Sequence, residues 1–368
     1  MSWSPDVPYQ DLPTLPPAFP IESTSVLKAL VEAKSSLSAL NEAGGLIPNP
    51  TVLINVIPLL EAQSSSEIEN IVTTTDELFR YAAGGVEGLD ENSPVRETLR
   101  YRTALRVGYE SLANRPLCTN TAIAVCREIK NQSIQIRDLP GTKIANPSSG
   151  EIIYTPPEGK DLISEKLRNW EQFLHNQTDL DPLVRMAAAH YQFEAIHPFF
   201  DGNGRTGRII NILVLVQFDL LKLPVLYLSR YIIENKSEYY RLLGAVTEEE
   251  AWEEWVVFML NAVRETAEWT RGKIHAIRAL HRSLGEQIRL ELPSIYRREL
   301  LDLIFEQPYC RIENVVAADL AQRQTASSWL RSLADEGILR EIKVGRNKIF
   351  VNHQFFDLLT TSPASASE

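Results

Sequence analysis

Residues His197-Pro198-Phe199-Phe200-Asp201-Gly202-Asn203-Gly204-Arg205-Thr206-Gly207-Arg208 concentrate more chemistry than any other stretch of this chain. The histidine supplies a general base, the aspartate a carboxylate for a metal ion, and the glycines a tight turn. Asp181 suits a helix N-cap and Pro182 the first helical position, so the run to Ile196 is predicted to be a helix. His197 then stands at the helix exit, because a residue before proline is pushed out of helical geometry. The apolar run from Arg205 to Leu221 predicts a second, buried helix. Amides of such a turn, with the free N–H groups opening the second helix, make an anion site. Arg205 and Arg208, three apart on one helical face, suit successive phosphates. The segment reads as a polyphosphate site with a base beside it.

Other readings fit less well. Gly202-x-Gly204-x-x-Gly207 matches the dinucleotide-binding fingerprint, but that motif follows a strand, and here a helix comes first. A P-loop would need the pattern G-x-x-x-x-G-K-[ST], which does not occur in this turn. His190, Glu194 and His197 have the spacing of three metal ligands on one helical face. His197 sits beyond the helix end, however, and the triad leaves the arginines without a role. His190 and Phe193 are better read as core residues that orient the loop.

The segment resembles, without departure, the signature H-P-F-x-[DE]-G-N-G-R-x-x-R of the Fic (Fido) protein adenylyltransferases. The resemblance implies ATP as donor and transfer of AMP to a Ser, Thr or Tyr hydroxyl of a target protein, self-modification included. By the same resemblance His197 is the base and Asp201 the Mg²⁺ ligand. Gly202, Asn203 and Gly204 would cradle the α- and β-phosphates. Arg205 would meet the β-phosphate and Arg208 the γ-phosphate, with Thr206 and Gly207 completing the nucleotide-binding stretch. These roles are physically coherent. Histidine titrates near neutrality, and phosphoryl-type transfer asks mainly for alignment and charge stabilisation. One carboxylate plus substrate phosphates is a usual way to hold Mg²⁺.

Two further segments gain meaning beside the motif. Ser65-x-x-x-Glu69-Asn70 fits the inhibitory pattern [ST]-x-x-x-E-[GN] of that family, on a helix expected from about 64 to 81 with Ser64 and Glu67 as a capping box. Glu69 would then occupy Arg208 and block a productive ATP pose. Ile134 to Arg137 and Glu151 to Tyr154, separated by the turn-rich Pro147-Ser148-Ser149-Gly150, predict a hairpin. The resemblance implies a flap that holds the target by strand addition, so Ile153 and Tyr154 are assigned to target binding. Tyr239 and Tyr240 fall on a helix from Lys236 to Leu243. They read either as core or, by family position, as adenine-pocket residues.

The chain of 368 residues carries a net charge of −11, which argues against a broad nucleic-acid surface. Three cysteines (Cys118, Cys126, Cys310) form no CxxC pattern, and the first residues lack a signal-peptide pattern, so a cytoplasmic protein is expected. The most apolar run, Ile209 to Leu228, is interrupted by polar residues and reads as core, not a membrane span. Residues 1 to about 20 are proline-rich and extended, as an ordered arm or a loose tail. Helical patterns fill Ser23 to Leu112, broken at Gly44 to Pro50 and Gly84 to Pro94, and return at Thr119 to Ile129.

From about Leu292, helices at Ser294–Glu306, Ile312–Leu320 and Gln324–Asp335 precede a strand–turn–strand with its tip at Gly345-Arg346-Asn347. This is a winged helix-turn-helix pattern. Residues 291 to 368 hold nine Lys/Arg against eleven Asp/Glu, not the basic face of a strong DNA binder, although Lys343, Arg346 and Lys348 line the wing.

The expected protein is mainly α, with a Fic-type helical core, a small β-hairpin flap and a C-terminal winged helix-turn-helix. Its expected organisation is a helical region with the brake (1–112), the catalytic core (113–270), a connecting helix (271–291), the winged unit (292–358) and a disordered tail (359–368). The alternatives are a nucleotide-sensing transcription regulator, another phosphoryl-group transfer on the same fold, or removal of AMP. Homodimerisation and DNA binding by the wing stay open as partner readings.

Overall fold

The computed structural model describes residues 3–18, 20–45, 49, 51–84, 89–91, 93–146, 149–344 and 347–361. It is mainly helical. Four helices come first, α1 (Thr24–Gly44), α2 (Thr51–Ile68), α3 (Thr75–Gly84) and α4 (Pro94–Ser111), followed by α5 (Thr119–Lys130). A two-stranded antiparallel pair, β1 (Ile144–Ala145) and β2 (Ile152–Tyr154), precedes α6 (Lys160–Asn176), α7 (Pro182–Ile196) and α8 (Asn203–Gln217). Then come α9 (Leu228–Glu234), α10 (Lys236–Glu249) and α11 (Trp252–Glu291). The chain closes with α12 (Arg298–Glu306), β3 (Tyr309–Cys310), α13 (Ile312–Ala317), α14 (Arg323–Asp335), β4 (Arg340–Val344), β5 (Asn347–Val351) and α15 (His353–Thr360).

Helix α7 is the axis of the molecule. Apolar and small residues occupy all of its faces, so it is buried all round. The indoles of Trp170 (α6) and Trp255 (α11) reach its backbone from different helices, donating to the carbonyls of Ala189 and Ala187 at 3.0 and 2.8 Å. Asp181 caps it, its carboxylate accepting from the Leu183 amide at 3.0 Å. Each large apolar side chain buried there contributes about 1.5–3 kcal/mol. A frame of that kind holds the end of α7 rigid, and the end of α7 is His197.

The described residues of the N-terminal arm pack on the core. The Tyr9 backbone amide donates to the Thr155 carbonyl at 3.0 Å, Leu12 and Leu15 are buried, and Asn169 pairs with both the amide and the carbonyl of Leu15 at 2.8 and 2.9 Å.

A second core joins the C-terminal elements to the N-terminal helices. Val56 and Leu59 (α2), Phe79 (α3), Ile277 and Leu284 (α11), Phe305 (α12), Ile349 and Phe350 (β5) and Phe355 (α15) share it. Its sheet has strand order β3-β5-β4, with Ile342 opposite Ile349.

Several expectations are corrected. Residues 271–291 are helical as expected, but their helix starts earlier: they are the second half of α11, which runs unbroken for 40 residues because its buried positions continue from Trp252 through Ile288. The tail does not begin at 359, since α15 extends to Thr360, Leu359 is buried, and Lys273 donates to the Thr361 carbonyl at 2.7 Å. Residues 362–368, the wing-tip residues Gly345 and Arg346, and Pro147 and Ser148 lie outside the described residues, as do parts of the breaks at Gly44–Pro50 and Gly84–Pro94. Ile134 to Arg137 is not a strand, and β2 pairs instead with Ile144–Ala145. Arg137 is buried there, where it bonds the helix α7 exit. No helix begins at Ser64. That segment is the end of α2, and α3 starts only at Thr75. Asn70 adopts a left-handed φ of 62°, which ends the helix, and the Ser64 hydroxyl meets Tyr227 at 2.7 Å instead of capping. Among the described residues no helix is long and apolar enough to cross a membrane.

Candidate active site

His197 is the C-cap of α7, in left-handed conformation with φ 49° and its amide bonded to the Phe193 carbonyl at 3.0 Å. A non-glycine residue persists in that region only when its surroundings over-determine it. Arg137 does this. Its Nε donates to the His197 carbonyl at 2.7 Å, its Nη2 donates to the carbonyls of Pro157 and Ile196, and its amide donates to the Pro198 carbonyl at 2.9 Å. Burial, and then the Arg137 charge, push the His197 imidazole down to about 4. The ring is therefore neutral at ordinary pH and able to accept a proton.

Nothing in the local sequence marks Arg137, because its partners lie 20 to 60 residues away. Replacing it with Met would leave those carbonyls without their donor, at about 1–3 kcal/mol per unpaired buried group. Thermal unfolding of Arg137→Met should show a midpoint several degrees lower. An unchanged midpoint would show that the turn holds its shape without this clamp.

The turn opens onto α8. Gly202 takes φ 84°, and Asn203 folds back on the loop, its Oδ1 accepting from the Phe199 amide at 2.9 Å and its Nδ2 donating to the Phe199 carbonyl at 2.7 Å. The Asn203 side chain therefore shapes the loop, and the free backbone N–H groups at the start of α8 are its candidate anion donors. Thr206 is fully buried below this turn.

Arg208, buried to 1% exposure, is committed to the end of α2. Its Nε donates to Ser65 Oγ at 2.8 Å, and its Nη2 donates to the Ser65 carbonyl at 2.9 Å and to Glu69 Oε1 at 2.8 Å. A cation at the carboxyl end of a helix also matches the helix dipole. Burial alone would raise the Glu69 pKa, but the charge and hydrogen bond of Arg208 prevail and hold it below the usual carboxylate range. Gly204 permits this approach, since a Cβ there would lie 2.3 Å from Glu69 Oε1. Helix α2 is pinned in turn by buried polar contacts. Glu61, fully buried, accepts from Tyr101 at 3.0 Å and from the Ser229 amide at 2.8 Å.

Arg205 turns elsewhere. Its Nη1 donates to Glu97 Oε1 at 2.7 Å, Lys130 Nζ lies 3.5 Å from the same oxygen, and Lys130 also bonds the Asp201 carboxylate. Asp201 is the exposed member at 65%. Partial burial would raise its pKa, yet Lys130 and Arg205 hold it below the usual range. Glu97 and Lys130 were missed from the sequence, where each reads as an ordinary helix-surface charge.

Of the two readings of Tyr239, its burial matches the core one. It is buried at 1% exposure against Trp255 and Phe258, with its hydroxyl on His190 Nε2 at 2.8 Å. Burial and the nearby Arg208 push His190 down to about 3, so it stays neutral. Tyr240 is 47% exposed and remains available. On β2, Ile153 is half exposed, whereas Tyr154 packs edge-on against Tyr9 and donates its hydroxyl to the Ala195 carbonyl at 2.9 Å. Among the described residues no three His, Cys, Asp or Glu side chains form a metal-binding cluster. Glu194, raised to about 7 by burial, lies beside Gly207, where a Cβ would fall 2.5 Å from its Oε1.

Three family models match the chain: the Fic/DOC family N-terminal region over residues 27–110, the Fic/DOC family over 117–215, and the C-terminal domain of SoFic-like protein adenylyltransferases over 280–355. Over 91 residues, 24% of this chain and 16% of the relative, it is 35% identical to the protein adenylyltransferase fic-1 of Caenorhabditis elegans. It is 32% identical over 97 residues to the protein adenylyltransferase Fic of Drosophila melanogaster, 26% of this chain and 18% of that protein. The chain thus spans about a sixth of the length of these relatives. A Fic family protein from Desulfovibrio desulfuricans superposes with a TM-score of 0.56 at 19% identity, over 91% of this chain and 98% of that one. A segment of Fic-1 from Caenorhabditis elegans superposes with a TM-score of 0.52 at 19% identity, over 68% and 74%. These likenesses place the fold.

Proposed function

We propose that this chain, which belongs to the Fic/DOC family, is a protein adenylyltransferase that moves AMP from ATP to a hydroxyl of a target protein and is held at rest by its own Glu69. The observation that carries this reading is the convergence of a neutral His197, an amide-lined turn and Arg208 on one loop, with Glu69 on the arginine. The relatives named above as protein adenylyltransferases support the same chemistry.

In the proposed reaction the target hydroxyl oxygen bonds to the α-phosphorus and the bond to the bridging oxygen of the β-phosphate breaks. Pyrophosphate leaves, and the hydroxyl proton passes to His197. The start of α8 orients the phosphates through its N–H groups, which cost no reorganisation at the moment of reaction. Arg205 and Arg208 are assigned to the β- and γ-phosphates once freed from their carboxylate partners. Tyr240 is assigned to the base, and the exposed Ile153 edge of β2 to the target backbone.

The residues also fit a Mg²⁺ ion. Asp201 is ionised, faces solvent, and already attracts a cation, Lys130. When bound there, Mg²⁺ would neutralise charge on the departing pyrophosphate.

The experiment is a parallel incubation of the Glu69→Gly protein and a cell lysate with ATP labelled at the α- or the γ-phosphorus. Protein labelled from the α-position alone supports AMP transfer. Label arriving from the γ-position would make the protein a phosphotransferase and overturn the reading.

The pH dependence has a definite sign. A base depressed to about 4 by burial stays unprotonated as pH falls through the range where a free histidine would be lost. Removing Glu69, whose charge raises the His197 pKa, depresses it further. The kcat/KM of Glu69→Gly should therefore show no acid limb attributable to His197 between about pH 5.5 and 8. Half-loss near pH 6.5 would mean an ordinary, solvated imidazole.

A further inference from the structure

Four alternating charges run beside the phosphate loop: Arg205, Glu97, Lys130 and Asp201. The quartet is neutral, and one atom is shared, because Glu97 Oε1 accepts from Arg205 Nη1 at 2.7 Å and lies 3.5 Å from Lys130 Nζ. Lys130 is the last residue of α5, and its stem runs past the loop, where a Cβ on Gly202 would touch its Cγ at 3.4 Å. The stem is held, while the ammonium, on a side chain 19% exposed, has two carboxylates within reach.

Resting on the adenylyltransferase reading, we infer that Lys130 is the resident counter-cation of Asp201, a positioning residue that couples the metal to the arginine. When a divalent cation takes Asp201, the ammonium is repelled and shifts onto Glu97, the only other carboxylate with which it forms an ion pair among the described residues. Glu97 Oε1 then carries a full ion pair with Lys130, and its hold on Arg205 weakens. Arg205 is 2% exposed, its one hydrogen-bonded carboxylate is Glu97, and its only other carboxylate contact among the described residues, Asp201 at 4.0 Å from Nη2, is the one the metal takes, so the exchange frees it to meet a phosphate. The two ligands thereby favour one another, and linkage makes the effect reciprocal. Net charge gives the direction. With Lys130 in place the quartet holds no excess negative charge for a dication, and without it one carboxylate is uncompensated.

The test uses full-length protein and Mn²⁺ alone, with free Mn²⁺ read by electron paramagnetic resonance. Lys130→Met and Lys130→Gln should each bind Mn²⁺ about three- to tenfold more tightly than wild type, the scale of a partly exposed ion pair. Unchanged or weaker binding in both overturns the inference and leaves Asp201 as the metal ligand. Adding Asp201→Asn to Lys130→Met should erase the gain. If it does not, the ion sits elsewhere, and the assignment of Asp201 fails together with the inference. A second arm titrates α,β-methylene ATP with and without Mn²⁺. Glu97→Gln should bind the analogue several-fold more tightly in the absence of metal and gain less from adding it, because Arg205 is already free. A metal effect as large as in wild type would break the proposed coupling.

Discussion

Replacing Glu69 with Gly should raise the proposed AMP transfer, on the order of tenfold to a hundredfold, most visibly as self-labelling. The magnitude follows from what is removed, a charge-assisted hydrogen bond of about 1.5–3 kcal/mol between a buried guanidinium and a carboxylate in a cleft. The geometry makes the gain specific. Arg208 keeps its bonds to Ser65 Oγ and to the Ser65 carbonyl, so the arginine stays oriented and only the face turned to Glu69 is vacated. Gly204 gains space on the same side, since Glu69 is its nearest neighbour there. The decisive control is Glu69→Gly with Arg208→Ala, which should return transfer to the resting level. A gain that survives loss of Arg208 would mean that the end of α2 inhibits by another route. No gain at all would reduce Glu69 to a surface carboxylate.

Replacing His197 with Ala in the Glu69→Gly background should abolish transfer, by about a hundredfold or more, while nucleotide affinity should change little. The split is expected because the imidazole contributes the proton acceptor, whereas phosphate contacts are assigned to the α8 amides, Arg205 and Arg208. Arg137 grips the His197 carbonyl, not its ring, so the turn itself should survive the substitution. Single-turnover rates with labelled ATP, set beside equilibrium binding of a non-transferable analogue, separate the two effects. Transfer at the parent rate would remove His197 from the chemistry. A matched fall in nucleotide affinity would make it a binding residue instead.

Local sequence determined the parts of this protein whose physics is local. Asp181-Pro182 starts α7, Pro198 stops it at His197, and Gly202 makes the left-handed turn into α8, each through covalent geometry or hydrogen bonding within a few residues. The mainly helical class followed from periodicity in the same way. The proximity of Glu69 to Arg208 was legible only because both motifs are distinctive, since 139 residues separate them. What tertiary structure decided is where chain-distant groups compete for the same residues. Ser64 to Ile68 looked like a helix start because its capping chemistry was intact. It ends a helix because Tyr227 engages Ser64 and Arg208 engages Ser65. Arg137 looked like a strand end and became a buried clamp, and Tyr239, which sequence left open between core and nucleotide pocket, is buried. Glu97 and Lys130 carried no signal at all, being ordinary charges on helices until folding set them beside Arg205 and Asp201. A side chain's neighbours within one helical turn are given by its sequence, whereas the desolvated partner that fixes its charge and direction arrives from elsewhere in the chain.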